Sequence, residues 1–429
     1  MTRKKVLIIT YYWPPSGGAG VQRWVKFCKY LPEFNIETIV LTVKNGTYPI
    51  IDESLLDEIS ENLQIFYSKS IEPYSIFAKL TGKTDKQVST PTTAFSMDGG
   101  LMQKLGVWLR SNFFIPDARI GWIPSTFLKA KKIIKEQNID VVVTTGPPNS
   151  THIIGTKLKK WYPGLKWVMD MRDPWSQIFY NETLPRTSLA QNIDKSLEKK
   201  ALKAADEVIV VSQSMVKLQQ SIYEREYHVI SNGFDHDDFP DHPKTNKEQK
   251  LTIKYIGSMT EPAIPYNFFS ALSALDPNLR SKISVHFFGS YNQKVHDVID
   301  EYNLSELVSF KGYVPHLQAK NEMSSADLLL LVIPRSKHNQ LILTGKLFDY
   351  IAAQRPILYI GPEDGDAAAI IDKYKLGICF DYQEINPIQE FLRDAISKNN
   401  IPYQKWETDF KNHPFSRYRL TEKLVKLIE

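Results

Sequence analysis

Short apolar runs of four to six residues alternate with longer segments of helical period along this chain, and that alternation constrains its fold more than any other feature. Runs too short to be helices, each followed by an amphipathic stretch, read as buried strands joined by crossover helices, which makes βαβ units and a mostly parallel sheet. In the first half the runs are 6–10, 38–42, 64–67, 141–145, 167–171 and 207–212. A second series, 251–256, 283–288, 307–310, 328–333, 357–360 and 377–380, restarts the pattern. Between the two lies 235–250, DHDDFPDHPKTNKEQK, with two prolines, many charges and almost no apolar residue, as an exposed linker would have.

The expected organisation is therefore an N-terminal α/β domain over 1–240, a second over 250–405, and a closing segment over 406–429 that returns toward the first. Its last part, FSRYRLTEKLVKLIE, spaces Leu420, Leu424, Val425 and Leu427 as one helix face. A length of 429 residues allows two or three such cores. The stretch 67–105 fits neither pattern, with a polar run at 81–93 and the pair Gly99–Gly100; it reads either as a mobile lid or as a disordered insert.

With 42% hydrophobic and 24% charged residues the chain has the make-up of a soluble globular protein. Its formal charge of +5 is too small for this length to indicate dedicated nucleic-acid binding. Cys28 and Cys379 are far apart and lack metal-ligand spacing, which argues against a disulfide framework or a zinc site and for a reducing compartment. The start, MTRKKVLIIT, has an apolar run too short for a secretory leader and reads as a first buried strand, and no window offers roughly 18 uninterrupted apolar residues. The expectation is a cytoplasmic protein.

The candidate chemistry lies where strands end, because in an open parallel sheet ligands bind at the strands' carboxyl ends. After the first strand, YYWPPSGGAG leads into a helix, so Gly17 and Gly18 can let a phosphate or sugar approach the backbone and the helix start, or can simply make a turn. The fourth strand ends in TGPPNS with Thr145, and His152 follows on the next helix, as a site residue or as a packed histidine. The fifth ends in VMDMRDPW, which places Asp170, Arg172 and Asp173 beside a buried strand; they serve a ligand, or pair internally as Asp170–Arg172 or Arg172–Asp173. SNGFD, with Asn232, reads as a tight Asn-Gly turn closing the first domain.

In the second half, Gly257 and Ser258 end the first strand of the new series, and KGYVPH, with Tyr313 and Val314, can read a nucleobase through its backbone. The run LTGKLFDYIAAQRP starts a helix at Thr344 and Gly345, whose amides suit a diphosphate, with Lys346 adding a full charge. Asp349, at i+3 from Lys346, can accept hydrogen bonds from ribose hydroxyls or pair with the lysine on a solvated face.

Taken in order, YYWPPSGGAGVQR, TTGPPNSTH, MRDPW, SNGFD, YIGS and TGKLFDYIAAQRPIL resemble glycosyltransferase family 4, the retaining enzymes of GT-B fold, and especially its divergent bacterial members from surface-polysaccharide clusters. The resemblance covers nearly the whole chain. It implies two Rossmann-like α/β/α domains with parallel sheets facing across a cleft, and transfer of a sugar from a nucleotide-diphosphate-sugar to a glycan or lipid-linked acceptor. Gly17 and Gly18 match the family's glycine loop near the donor phosphates and acceptor, Gly257 and Ser258 its diphosphate loop, Tyr313 and Val314 its nucleobase loop, and Asp349 the second acid of E-x7-E.

Three departures stand out. The first acid of that motif falls at Leu341, no basic residue follows the Gly257 loop until Arg280, and the family's histidine after the fourth strand aligns with Thr145. Lys346 is the expected replacement for the missing cations, and with Arg172 and Asp173 it completes the expected catalytic set. The expectation is a metal-independent hexosyltransferase with no cofactor beyond its nucleotide-sugar substrate. The rivals are a nucleotide-sugar epimerase on the same fold and a binding or scaffold protein that lost the chemistry. Lys129, Lys131, Lys132 and Lys135 on one helix, with KLKKWYPGLKW at 157–167, leave open a peripheral contact with the inner face of the cytoplasmic membrane; the commoner reading is a solvated face. The oligomeric state is not legible.

Overall fold

The computed structural model describes all residues except 1–2, 72–100, 179–180, 182–183, 240–249, 399–400 and 407–408. The polar run at 81–93 and most of the charged linker thus lie outside the described residues.

The chain divides into two α/β units, Met1–Ser231 with Arg417–Glu429, and Asn232–Ser416. In the first, β1 (Lys4–Ile9), β2 (Ile36–Val43), β3 (Gln64–Ser68), β4 (Val141–Gly146), β5 (Lys166–Met171), β6 (Glu207–Val210) and β7 (His228–Val229) form one sheet in the order β3-β2-β1-β4-β5-β6-β7. Every pairing is parallel. Val6, Leu7, Ile8 and Ile9 are fully buried, as are all six residues of β4, which is why these strands carry unbroken apolar runs instead of alternation. The two-residue β7 escaped the sequence reading, since it is too short to show a pattern.

The crossovers are α1 (Ala19–Tyr30), α2 (Leu101–Phe113), α3 (Ile123–Gln137), α4 (Ser150–Trp161), α5 (Ser188–Ala204) and α6 (Gln213–Gln220). α2 takes the end of the stretch that fitted neither sequence pattern. Along α3 and α4 much of the basic stripe is engaged locally: Lys131 Nζ stands 3.4 Å from the centroid of the Trp161 ring, Lys129 lies over Phe66, Lys132 pairs with Glu136, and Lys159 with Asp206. Among the described residues no helix is long and apolar enough to cross a membrane.

The second unit repeats the design with β8 (Leu251–Ile256), β9 (Ile283–Phe288), β10 (Val308–Gly312), β11 (Leu328–Val332), β12 (Ile357–Ile360) and β13 (Gly377–Phe380), all parallel, in the order β10-β9-β8-β11-β12-β13. Its helices are α7 (Tyr266–Ser273), α8 (Pro277–Arg280), α9 (Gln293–Glu301), α10 (His316–Ser324), α11 (Gly345–Ala352), α12 (Asp366–Tyr374) and α13 (Asn386–Lys398). β10 begins one residue later than the apolar run 307–310 and extends to Gly312, because it pairs with β9 through a register shift at Phe310 and Gly312.

The division between the units falls at Ser231/Asn232, ahead of the charged run in which the sequence places it. The reason is Phe234: it is buried among Phe348, Tyr350 and Phe415, its amide donates to Phe415 O at 3.1 Å, and it bridges in parallel to Ser416. All of SNGFD but Ser231 therefore belongs to the second unit, and residues 231–233 form no turn.

The last helix, α14 (Arg417–Ile428), belongs to the first unit, where Leu420, Leu424, Val425 and Ile428 join Val6, Ile8, Trp24 and Phe27 in one core. Leu427, expected on the same face, is only partly buried there. Seven of the eight tryptophans precede residue 232, so intrinsic fluorescence reports mainly on this unit. Leu424→Ala removes a fully buried side chain and is expected to destabilise the first unit by about 2–5 kcal/mol in denaturant titrations followed by tryptophan fluorescence. A loss below about 1 kcal/mol would show that α14 is not part of that core.

Candidate functional site

Asp170, near the end of β5, is fully buried, and its partner is not Arg172 but Arg23 of α1, also fully buried. Arg23 Nη2 and Nε donate to the two carboxylate oxygens at 2.9 and 3.3 Å, while Trp24 Nε1 and Thr145 Oγ1 donate to Oδ2 at 2.8 and 2.9 Å. Arg23 also donates to the carbonyls of Ile230 and Ser231 at 2.9 and 2.7 Å. Burial alone would raise the Asp170 pKa, yet it is lowered, because the charge and hydrogen bonds of Arg23, the charge of Arg172 and the Trp24 bond outweigh desolvation. Asp170 and Thr145 are thus structural members of a knot that joins α1, β4, β5 and the end of the unit. The sequence reading missed Arg23, although its place next to Trp24 on α1 was the available signal.

His152 is also buried. Its Nδ1 lies 3.0 Å from Thr144 Oγ1, which accepts from Trp167 Nε1 at 2.9 Å, and its ring sits 6.0 Å from that of Trp175. Burial lowers its pKa to about 3, so the imidazole is neutral at any working pH and offers no exchangeable charge. Its Nε2 has no hydrogen-bond partner.

The other candidates of the first unit come together. Gly17, Gly18, Arg172 and Asp173 line a hollow of about 390 Å³, with Pro147 and Asn149 from the loop after β4. Gly18, the N-cap of α1, has φ 108° and offers no side chain as a cap, so no side chain takes up the amides of Ala19 and Gly20, while Val21 N donates to Gly18 O at 3.0 Å. Arg172 Nε and Nη2 donate to Gly146 O and Pro147 O at 3.0 and 2.7 Å, which fixes the guanidinium. Its Nη1 lies so close over Gly20 that any Cβ there would overlap it. Neither the Asp170–Arg172 nor the Arg172–Asp173 ion pair forms; Asp173 is exposed at this rim. Asn232, expected on this side, falls in the second unit.

In the second unit the strands β8, β9 and β10 end in glycines with positive φ, Gly257 (124°), Gly289 (138°) and Gly312 (69°). Gly257 is required twice: by its backbone, and because a Cβ would collide with the Lys346 side chain. Lys346, in the first turn of α11, donates from Nζ to the Tyr255 hydroxyl at 2.7 Å, lies 4.2 Å from that ring's centroid, and approaches Ser258 O at 3.5 Å. Tyr255 donates in turn to Ser258 O at 3.0 Å. Thr344 caps α11, its Oγ1 accepting from Lys346 N at 3.4 Å, and Gly345 opens the helix.

Burial lowers the Lys346 pKa to about 8, with the nearby Asp349 charge acting the other way. Gly257, Ser258, Thr344, Gly345, Lys346 and Asp349 are thus one assembly, with Tyr255 as the member the sequence reading missed. Tyr255 opens the YIGS motif, but a tyrosine in an apolar strand gives no sign of what its hydroxyl meets. Tyr313 is 81% exposed and Val314 packs partly on the core. Leu341, where the family's first acid would stand, ends a short 3-10 helix, Asn339–Leu341. Among the described residues one group, Asp235, His236 and Asp237, brings three metal-ligand atom types within 4.8 Å of one another. These are consecutive residues: Asp235 caps the turn, and His236 lies 3.5 and 3.2 Å from the two carboxylates.

The model of Glycosyltransferase Family 4 matches residues 88–238. No curated protein sequence matches significantly. Among solved structures, the chain is similar to the sucrose-phosphate synthase of Thermosynechococcus elongatus, at 12% identity over 99% of this chain and 94% of that one, with a TM-score of 0.60. It is similar to HepE of Anabaena in complex with UDP and glucose, at 14% identity over 99% and 98%, TM-score 0.59. It is also similar to the lipopolysaccharide outer core galactosyltransferase WaaB, at 13% identity over 99% of both chains, TM-score 0.60. At such identities the likeness concerns the fold, two parallel α/β sheets of GT-B type.

Asp170→Ala leaves the Arg23 guanidinium buried without its counter-charge and is expected to lower stability by about 3–5 kcal/mol in the same fluorescence-detected titrations. An effect below about 1 kcal/mol would contradict the structural role given to the pair.

Proposed function

We propose that this chain, a glycosyltransferase of family 4 with the GT-B fold, moves a hexose from a nucleotide-diphosphate-sugar to a glycan or lipid-linked acceptor in bacterial surface-polysaccharide synthesis, with retention and without a metal ion. The observation that carries the reading is Lys346. It is a cation held in place by the Tyr255 hydroxyl, packed on a glycine at the end of β8, and carried on the first turn of α11, where the helix dipole is positive. Its lowered pKa records solvation lost to burial, and a diphosphate would restore the missing counter-charge.

In the proposed reaction the donor diphosphate lies on Gly257, Ser258, Thr344, Gly345 and Lys346, the ribose on Asp349, and the base near Tyr313 and Val314. As the sugar–oxygen bond breaks, negative charge grows on the leaving diphosphate. Lys346 and the positive end of the α11 dipole meet that charge without reorganising. The acceptor binds in the first unit, on Gly17, Gly18, Arg172 and Asp173. Since His152 is buried and neutral, the proposal gives it no proton to move.

Lys346→Ala is expected to lower kcat for donor hydrolysis or sugar transfer about 10²–10³-fold, and Asp349→Ala to raise the donor KM about tenfold, one lost charged hydrogen bond being worth about 1.5–3 kcal/mol. Near-normal rates in both variants would sink the assignment. Lys346 is charged below its pKa, so the free protein should bind donor best below about pH 8 and lose affinity as the pH rises through it. That alkaline limb should vanish in Lys346→Ala; its persistence there would place the titrating group elsewhere.

A further inference from the structure

The helix α2 carries its apolar stripe on the outside. Leu105, Trp108, Leu109 and Phe113, at i, i+3, i+4 and i+8, form one face of the helix, and all four are exposed, Phe113 to 67%. The side that packs inward is small: Gly106, Val107 and Ser111 are buried, and the Ser111 hydroxyl donates to Val107 O at 2.7 Å. A helix on a water-facing surface turns its apolar stripe to the core, so the reversed order marks a face that meets something other than water.

Asn112 joins this face to α5. Its side chain donates to Pro185 O at 2.8 Å and accepts from the amide and hydroxyl of Thr187, the N-cap of α5, at 2.7 and 2.8 Å. The first turns of α5 add Leu189, 71% exposed, and Ile193. Further along the same side, at i+11 and i+14 from Leu189, stand Lys200 and Lys203, both exposed. The charge on the two helices is one-sided. α2 has no acidic residue, and the two of α5, Asp194 and Glu198, are buried, so the exposed charges of α5 are Lys195, Lys199, Lys200 and Lys203.

Aromatic and branched side chains beside a row of ammonium groups match a bilayer with negatively charged headgroups. The rings enter the boundary between headgroups and acyl chains, and the lysines stay at the phosphates. The position agrees with the chemistry, because Arg110 and Ser111 of α2, with Phe114 just after it, line the hollow of the first unit. One helix thus borders both the exposed face and the hollow.

We propose that the exposed face of α2 and the lysine side of α5 dock on an anionic lipid bilayer, which presents the hollow to an acceptor carried in that bilayer. The inference rests on the reading of the first unit as the acceptor side and selects a lipid-linked acceptor over a free glycan. It also sets the membrane contact apart from the basic stripe of α3 and α4, much of which is engaged locally.

The test is flotation of the full chain with vesicles of phosphatidylcholine and phosphatidylglycerol, and with vesicles of phosphatidylcholine alone. Binding to the anionic vesicles is expected to be at least about tenfold tighter, since each lysine near such a surface adds to the attraction. Trp108→Ser with Phe113→Ser should weaken binding about tenfold by removing the inserted rings, and Lys200→Glu with Lys203→Glu should remove the preference for anionic lipid. These residues are exposed, so melting temperature, nucleotide binding and donor hydrolysis in solution should not change. Lipids with brominated acyl chains should quench native fluorescence, and Trp108→Phe should lose most of that quenching while still binding.

Failure to float with anionic vesicles, the face being taken instead by a second copy of the chain or by residues 72–100, would overturn the proposal. So would equal binding to both lipid mixtures, or native binding in both double variants. Quenching that survives Trp108→Phe and disappears in Trp161→Phe would place the contact on α4 and overturn it as well. Failure of the transferase reading looks different: the chain would float with anionic vesicles yet neither bind nucleotide nor hydrolyse donor.

Discussion

The buried Arg23–Asp170 pair is the interaction on which the arrangement of the first unit's strand ends depends. A charge pair taken wholly out of water is stable only when its remaining hydrogen-bonding capacity is met, and here Trp24, Thr145 and two main-chain carbonyls meet it. The result fixes α1 against the ends of β4 and β5. Once those are fixed, the glycine loop before α1, the loop after β4 and Arg172 have settled positions around one hollow. Gly17, Gly18, Arg172 and Asp173 are exposed or half-buried at that hollow, and Arg23 and Asp170 behind them are buried.

The second unit reaches the same end by other means. Its anchor is steric: Gly257 leaves room for the Lys346 chain to cross the end of β8, and Tyr255 receives the ammonium. A lysine at this place answers the departure at Ser258, where the sequence carries no cation after the glycine. The charge sits on a helix start, so its field adds to that of the helix dipole.

Much of the fold was legible because parallel strands buried on both faces must be apolar throughout; the runs 251–256, 283–288, 357–360 and 377–380 coincide with β8, β9, β12 and β13. β7 was not, since two residues have no period. The division between the units lies at Ser231/Asn232, ahead of the charged run that advertises exposure, and Phe234, a single aromatic residue, is buried in the second unit with Phe415 far away in sequence. In the candidate sites, Gly257, Lys346 and Arg172 announced themselves by position at strand and helix ends. Asp170 and His152 had the same kind of position but serve packing, and only three-dimensional partners, Arg23 for one and Thr144 and Trp167 for the other, tell the difference. Tyr255 stands in the YIGS motif, yet the role of its hydroxyl shows only in its contact with Lys346.

The central claim, that Lys346 receives the donor's diphosphate, is tested most directly by comparing the affinities of a nucleoside diphosphate and the matching monophosphate for the native chain and for Lys346→Ala. The account predicts that the diphosphate binds native protein at least about tenfold more tightly, a charge-assisted hydrogen bond being worth about 1.5–3 kcal/mol, and that the variant loses the difference. An undiminished preference for the diphosphate in Lys346→Ala would contradict it.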